Sequence, residues 1–348
     1  MYIKLLILGV FFPVAIFSQI GGKAPFQFLN VSDNAHVMGL GGHNVSTADD
    51  DHNMTVENPA TLDTLHGGNL SINYLPYFTT INKTSLLYSF NREKTGAWLV
   101  GSTYNSYGRF DETDPTGQVT GDFKASDYRF FVTKSHQVNN FKIGATLNLA
   151  GSQIAGYSSN AFTFDLGGVF KHPVHDLQIG LVFKNIGFVF NKFIKGTEQT
   201  LPADLRLGVS YKLEHVPLRV SLTGVNLLAN DVYYFDSSRN SEFDADGNVV
   251  ESKKKFSEQI FRRLIWGFEL IFSKQFQVRA GYNHQRRKEL KIDEKGGLSG
   301  FSLGANMKLK GYNIAFTRAW YSLAGGTSVL TLNTNLNRYF YKQVNKLK

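Results

Sequence analysis

Ala203-Asp204-Leu205-Arg206-Leu207-Gly208-Val209-Ser210-Tyr211-Lys212-Leu213 alternates throughout. Leu205, Leu207, Val209, Tyr211 and Leu213 share one phase; Asp204, Arg206, Gly208, Ser210 and Lys212 share the other. A strand built this way has one face that avoids water and one that accepts it. The pattern recurs from near Gly67 to Leu336 in about fourteen segments of roughly ten residues, without a long amphipathic helix among them. These features predict an all-β fold, a transmembrane antiparallel β-barrel of about 14 strands with a small N-terminal plug.

The chain of 348 residues is 42% hydrophobic and 19% charged, which is not the composition of a disordered protein. After the N-terminus no apolar run reaches the ~18 residues that a spanning helix needs. The 29 Phe and 16 Tyr suit interfacial aromatic girdles, and the 33 Gly suit turns and strand bends. Cysteine is absent, so disulfides, thiolate metal sites and a cysteine nucleophile are excluded. The net charge of +9 comes without a nucleic-acid-binding module, so no nucleic-acid partner is expected.

Four stretches differ in kind. Residues 1–18 read as a secretory signal: Lys4, an apolar run from Leu5 to Phe17, then small Ser18. Residues 19–66 are rich in Gly, Asn and Asp, lack sustained alternation and carry apolar anchors such as Phe28, Val37 and Leu62, which suits a plug. Residues 67–341 hold the barrel, Tyr339–Tyr341 completing the last strand, and residues 342–348 are a basic tail. Connections alternate in length: Asn91–Thr95, Gln137–Asn140 and Lys310–Gly311 are short; Gly108–Ser126, Val189–Pro202, Leu228–Arg263 and Gln285–Gly300 are long. This places the long loops outside an outer membrane and both termini in the periplasm. Arg206, Arg219 and Arg279 fall in the lumen phase. Arg318 shares the lipid phase of Ile314 and Phe316, which requires a place near a rim, and Gly224-Val225 reads as a bulge.

No constellation points to an enzyme, a metal or a cofactor. Adjacent Asp49, Asp50 and Asp51 point in different directions along an extended segment, so they read as a turn paired with lumen arginines. Glu242–Gly247 resembles the opening of a calcium loop, but its closing position holds Lys253, so a tight turn is expected. Lys253, Lys254 and Lys255, with Arg286 and Arg287, form candidate loops for contacting anionic lipopolysaccharide or an acidic partner.

Gly39-Leu40-Gly41-Gly42, Val45-Ser46, the acidic run around Asp50, and Asn58-Pro59-Ala60-Thr61-Leu62 together resemble the opening of FadL-type outer-membrane barrels. Gly21-Gly22, Phe26-Gln27-Phe28-Leu29, Ala35, Leu40-Gly41-Gly42 and Asn58-Pro59-Ala60 resemble, within that superfamily, the PorQ family of the type IX secretion system. The resemblance implies a plug motif made by Gly41, Gly42, Asp50, Asn58, Pro59 and Ala60. It implies a non-enzymatic scaffold in outer-membrane lipid, beside PorU-, PorV- and PorZ-like proteins. The alternative is a FadL-like transporter of hydrophobic small molecules, for which Tyr104 and Phe131 are expected to line a pocket.

Overall fold

A computed structural model describes residues 25–232, 242–243, 249–250, 256–290, 297–322 and 325–339. The first half of the ladder comprises β1 (Asn69–Pro76), β2 (Asn82–Arg92), β3 (Gly96–Thr113), β4 (Val119–Val138), β5 (Phe141–Ile154), β6 (Tyr157–Lys171) and β7 (Leu177–Asn191). Then come β8 (Asp204–Lys212) and β9 (Leu218–Gly224), followed by a small hairpin of β10 (Glu242–Phe243) and β11 (Val249–Val250). The rest is β12 (Leu264–Ile271), β13 (Phe276–Asn283), β14 (Phe301–Leu309), β15 (Tyr312–Ser322) and β16 (Gly325–Asn335). Fourteen of these strands close into one barrel: β12 follows β9 directly, and β1 pairs with β16. All the pairs are antiparallel, so every interior strand meets a partner on each side and a closed sheet leaves no edge in lipid. No helix among the described residues is long and apolar enough to cross a membrane.

The alternation lands as expected. Leu207 is 48% exposed on the outer face while Arg206 is 1% exposed. Phe141, Ile143, Leu147 and Leu149 also face out, and Thr146 and Asn148 are buried inside. Arg318 lies toward the long-connection end of β15, where it donates to Ser328 Oγ at 2.9 Å. Three local expectations need correction. Tyr104 faces outward, so it lines no lumen pocket, whereas Phe131 is buried under the Arg129 guanidinium, 4.1 Å from its ring centre. The phase slip at Val225 is the end of β9 rather than a bulge: Asn226 takes φ 55° and the chain leaves the sheet. The last strand stops at Asn335 and residues 337–339 make a helical turn, so Tyr339 does not extend it; Phe340 and Tyr341 lie outside the described residues.

The wall is uneven. β3 and β4 have 18 and 20 residues, and β5 to β7 have 14 or 15, but β8, β9, β12 and β13 have only 7 to 9. Gly108–Ser126 is therefore not a long loop. Most of it is strand, and only residues 114–118 turn. On the short wall the long connections carry α2 (Phe256–Arg263) and α3 (His284–Glu289), which pack against each other.

Candidate functional site: a plug held by buried charge

Residues 26–66 form no strand and lie inside the barrel, almost all of them buried or half-buried. The segment folds by short-range capping. Asn34 Oδ1 accepts from Val37 N at 2.8 Å and starts α1 (Ala35–Gly39). Asp51, Asn58 and Asp63 cap three later turns in the same way; for Asn53 and Ala60 the cap satisfies a backbone N–H that burial would otherwise orphan. Phe26, Phe28 and Leu29 pack on Ala150 and Ala161 with Val189 and Leu201, toward the long-connection rim. The segment ends at the opposite rim, where it enters β1. The described part of this segment thus runs from near the long-connection rim to the short-turn rim.

Six wall glycines make room for the plug. A Cβ on Gly144 would collide with the Pro59 carbonyl, and one on Gly167 would collide with Asn58 Oδ1. Gly180 and Gly208 lie against Val45, Gly267 against Leu40, and Gly281 against the Gly41 nitrogen. Side chains at Gly144, Gly180 and Gly281 would push the plug backbone off the wall. In the sequence these glycines merely occupy lumen phase, and nothing in one strand reveals what passes behind it. Gly41 and Gly42 answer from the plug side, with φ of 96° and 103°. Asn58 links both layers: Nδ2 donates to Val45 O at 2.7 Å and to Gly168 O of β6 at 3.2 Å, while Oδ1 accepts from Ala60 N at 3.0 Å.

Charge fixes the register. Arg206 on β8 donates from Nε to Asp204 Oδ2 at 2.6 Å, from Nη1 to Glu57 Oε2 at 2.9 Å and from Nη2 to Asn30 Oδ1 at 3.0 Å. Lys184 on β7 donates to Val56 O at 2.5 Å, with Asp165 at 3.8 Å. Across the lumen, Glu269 on β12 accepts from Arg279 and Arg219, each at 2.7 Å, and Arg219 reaches Asp49 at 3.3 Å. His36 joins this group, 2.9 Å from Asp51 and 3.4 Å from Glu269. The three aspartates diverge: Asp50 pairs with Lys308, away from the partners of Asp49 and Asp51. Further along the plug, Asp63 pairs with Lys142. Lys83 on β2 donates to the carbonyls of Phe28 and Val31.

His36, Asp49 and Glu269 bring three ligand-type atoms within 4.8 Å of one another. Arg219 and Arg279 already neutralise these carboxylates, so the cluster behaves as an ion-pair network. Burial pushes Glu57 upward, but His43 and Arg206 outweigh it and hold the carboxyl far below its ordinary value. Burial also raises Asp51, and the hydrogen bond and charge of His36 reverse that. For Asp63, burial is outweighed chiefly by Lys142, leaving its pKa lowered to about 2. His52 is different: burial keeps it neutral, with its pKa lowered to about 4. Its ring bridges Ser89 Oγ at 2.9 Å and Ser71 Oγ at 2.5 Å.

The candidate contact residues sit differently. Arg286 turns inward from α3, its guanidinium 4.3 Å from the Tyr321 ring centre and beside Gly42. Arg287 donates to the carbonyls of Gly297 and Ser299 at 3.2 and 3.4 Å. Neither is a free rim cation. Lys253, Lys254 and Lys255, and Asp244–Gly247 of the calcium-loop resemblance, lie outside the described residues.

The fold has relatives. The deltaS2S3 mutant of the TodX monoaromatic hydrocarbon channel is 11% identical, with a TM-score of 0.52 over 87% of this chain and 98% of that one. The deltaS2 mutant of the same channel is 12% identical, with a TM-score of 0.50 over 86% and 96%. A Pseudomonas aeruginosa FadL homologue is 12% identical, with a TM-score of 0.46 over 87% and 98%. No protein-family model and no curated protein matches the sequence. The fold is a closed β-barrel like that of the TodX channel, here with fourteen antiparallel strands around a plug.

Proposed function

We propose that this chain is a non-enzymatic outer-membrane scaffold of the type IX attachment machinery, a PorQ-like barrel. In this reading it holds a PorZ-like surface protein beside PorU- and PorV-like components. The observation that carries the reading is the plug. The segment bearing the PorQ-like residues is seated on wall glycines and tied to the wall by buried ion pairs. Removing one partner of such a pair strands a buried charge, so the plug resists displacement. A barrel filled this way suits an anchor better than a conduit. The short-turn rim and C-terminal turn face the periplasm, and the long connections face outward. Lys253–Lys255 supply basic contacts to lipopolysaccharide or an acidic partner.

The test is an affinity pull-down from detergent-solubilised membranes, with and without residues 231–257. The intact barrel should bring down PorU- and PorZ-like proteins. The shortened one should fold, lose the PorZ-like protein and release it from the cell surface. Unchanged surface retention refutes the choice of loop, and a pull-down without attachment components refutes the scaffold. The second reading, a transporter of hydrophobic small molecules, draws on the likeness to TodX. Co-purified fatty acid or hydrocarbon in native mass spectrometry would favour it.

A further inference from the structure

The short wall falls below the hydrocarbon height of a bilayer. A membrane-crossing strand of a barrel needs about 9–11 residues. β9 has 7, and β12 and β13 have 8 each. At a rise of ~3.3 Å per residue and a tilt near ~40°, a strand of that length covers roughly 20 Å of an apolar band about 25 Å tall. At the long-connection end of this wall, α2 runs into β12 without a break, Arg263 being followed by Leu264.

α2 is amphipathic with its faces reversed. At about 3.6 residues per turn, Phe256, Ser257, Ile260 and Phe261 fall on one arc, and Glu258, Gln259, Arg262 and Arg263 fall on the other. A helix on the surface of a soluble protein turns its apolar arc toward the core. Here the polar arc does so, all four of its residues being half-buried. Arg263 donates to Ala229 O at 2.7 Å, Gln259 to Asp231 Oδ1 at 3.4 Å and Arg262 to Glu258 Oε1 at 3.0 Å. Glu258 also lies 3.7 Å from His284 and from Lys288 of α3. The apolar arc faces away: Phe256 is 76% exposed, Ile260 42% and Phe261 52%. Next to it, the outward phase of β12 is entirely apolar, Leu264, Trp266, Phe268 and Leu270. Trp266 stands opposite Tyr282, which stands opposite Phe301 and packs on it with ring centres 4.9 Å apart. Such an aromatic row belongs to the interfacial end of a lipid-facing wall.

We propose that α2 is a lipid-contact helix, whose Phe256, Ile260 and Phe261 enter the acyl chains of the leaflet at the long-connection end and supply the apolar height that β9, β12 and β13 lack. Two observations select hydrocarbon as the occupant. The exposed arc continues the lipid-facing phase of β12, and every charged side chain of the helix is turned toward the protein. An interfacial helix buries its apolar face about 5–10 Å deep, enough to cover the missing ~5 Å. The inference rests on the membrane barrel and not on the scaffold reading, so its failure leaves the attachment machinery untouched.

The chain has no cysteine, so a nitroxide on one introduced cysteine reports one site. The test places it at Ile260→Cys and Phe261→Cys in the full-length barrel, in dioleoylphosphatidylcholine vesicles. Phe268→Cys serves as the lipid reference and Gln118→Cys, at the β3–β4 turn, as the water reference. Collision with oxygen and with a neutral nickel chelate is measured at each. The oxygen-to-nickel ratio at both α2 sites should lie within about threefold of that at Phe268 and well above that at Gln118. A ratio like that at Gln118 would put water on the arc, and protection from both reagents would put protein there; either overturns the proposal. A second measurement uses the triple variant Phe256→Ser, Ile260→Ser and Phe261→Ser. Its urea unfolding midpoint should fall in dioleoyl vesicles and stay unchanged in dilauroyl vesicles, whose thinner core the short wall spans unaided. An equal shift in both bilayers, or none in either, also overturns it.

Discussion

Arg206 is 1% exposed, and its guanidinium serves two carboxylates, Asp204 from its own strand and Glu57 from the plug. Such an arrangement adds little net stability over an apolar one, but removing one partner is expensive. Arg206→Ala should therefore destabilise the folded barrel by about 3–5 kcal/mol, read as a lower midpoint for gel heat-modifiability. Glu57→Gln in the same background should recover part of that loss, because it removes the stranded charge. Arg206 was legible in the sequence as a lumen residue by phase alone, and Asp49 as the partner of a lumen arginine. Glu57, Lys83, Lys184 and Glu269 carry no such signal. A charge in lumen phase looks the same whether it faces water or a plug.

At the scale of elements the plug has a pH response of its own. His52 has its pKa lowered from 6.5 to about 4, so the plugged state holds it neutral while a released plug would protonate it near 6.5. A depressed histidine pKa means that stability is present above 6.5 and is lost as pH falls from there toward 4. The Asp63 carboxylate adds to this loss only lower down: its pKa is lowered to about 2, so it keeps its contribution until pH falls below its ordinary 3.8. Hydrogen-exchange protection of plug amides, corrected for intrinsic rate, should therefore fall between pH 6.5 and 4 and recover in His52→Gln. A flat profile would show that the His52 site does not control plug docking. The strand ladder was readable to within a few residues because lipid enforces alternation. The extension of β3 and β4 was not, because Gly, Asp, Thr and Pro between Gly108 and Ser126 resemble a loop when no lipid selects the outward face.

For the whole molecule, plug and wall together predict conductance. Fourteen strands give a lumen wide enough to need filling. The intact barrel in a planar bilayer should pass little current, and a variant lacking residues 25–63 should open a steady channel. Equal conductance would mean that the plug leaves a continuous path. The likeness to TodX could not be drawn from composition, since 11% identity leaves only the shared architecture.

The first strand pairs with the last: β1 meets β16 along Asn69↔Asn335 to Tyr74↔Leu330. That seam is a constraint on order in time. The cylinder cannot shut until its final strand has been synthesised, and by then the segment ahead of β1 has been made and is available to pack inside. Ala35 N donates to Thr331 Oγ1 on β16 at 2.9 Å, so the enclosed chain helps position the strand that closes over it. The enclosed segment and the closing strand thus share a contact that only the completed cylinder can hold.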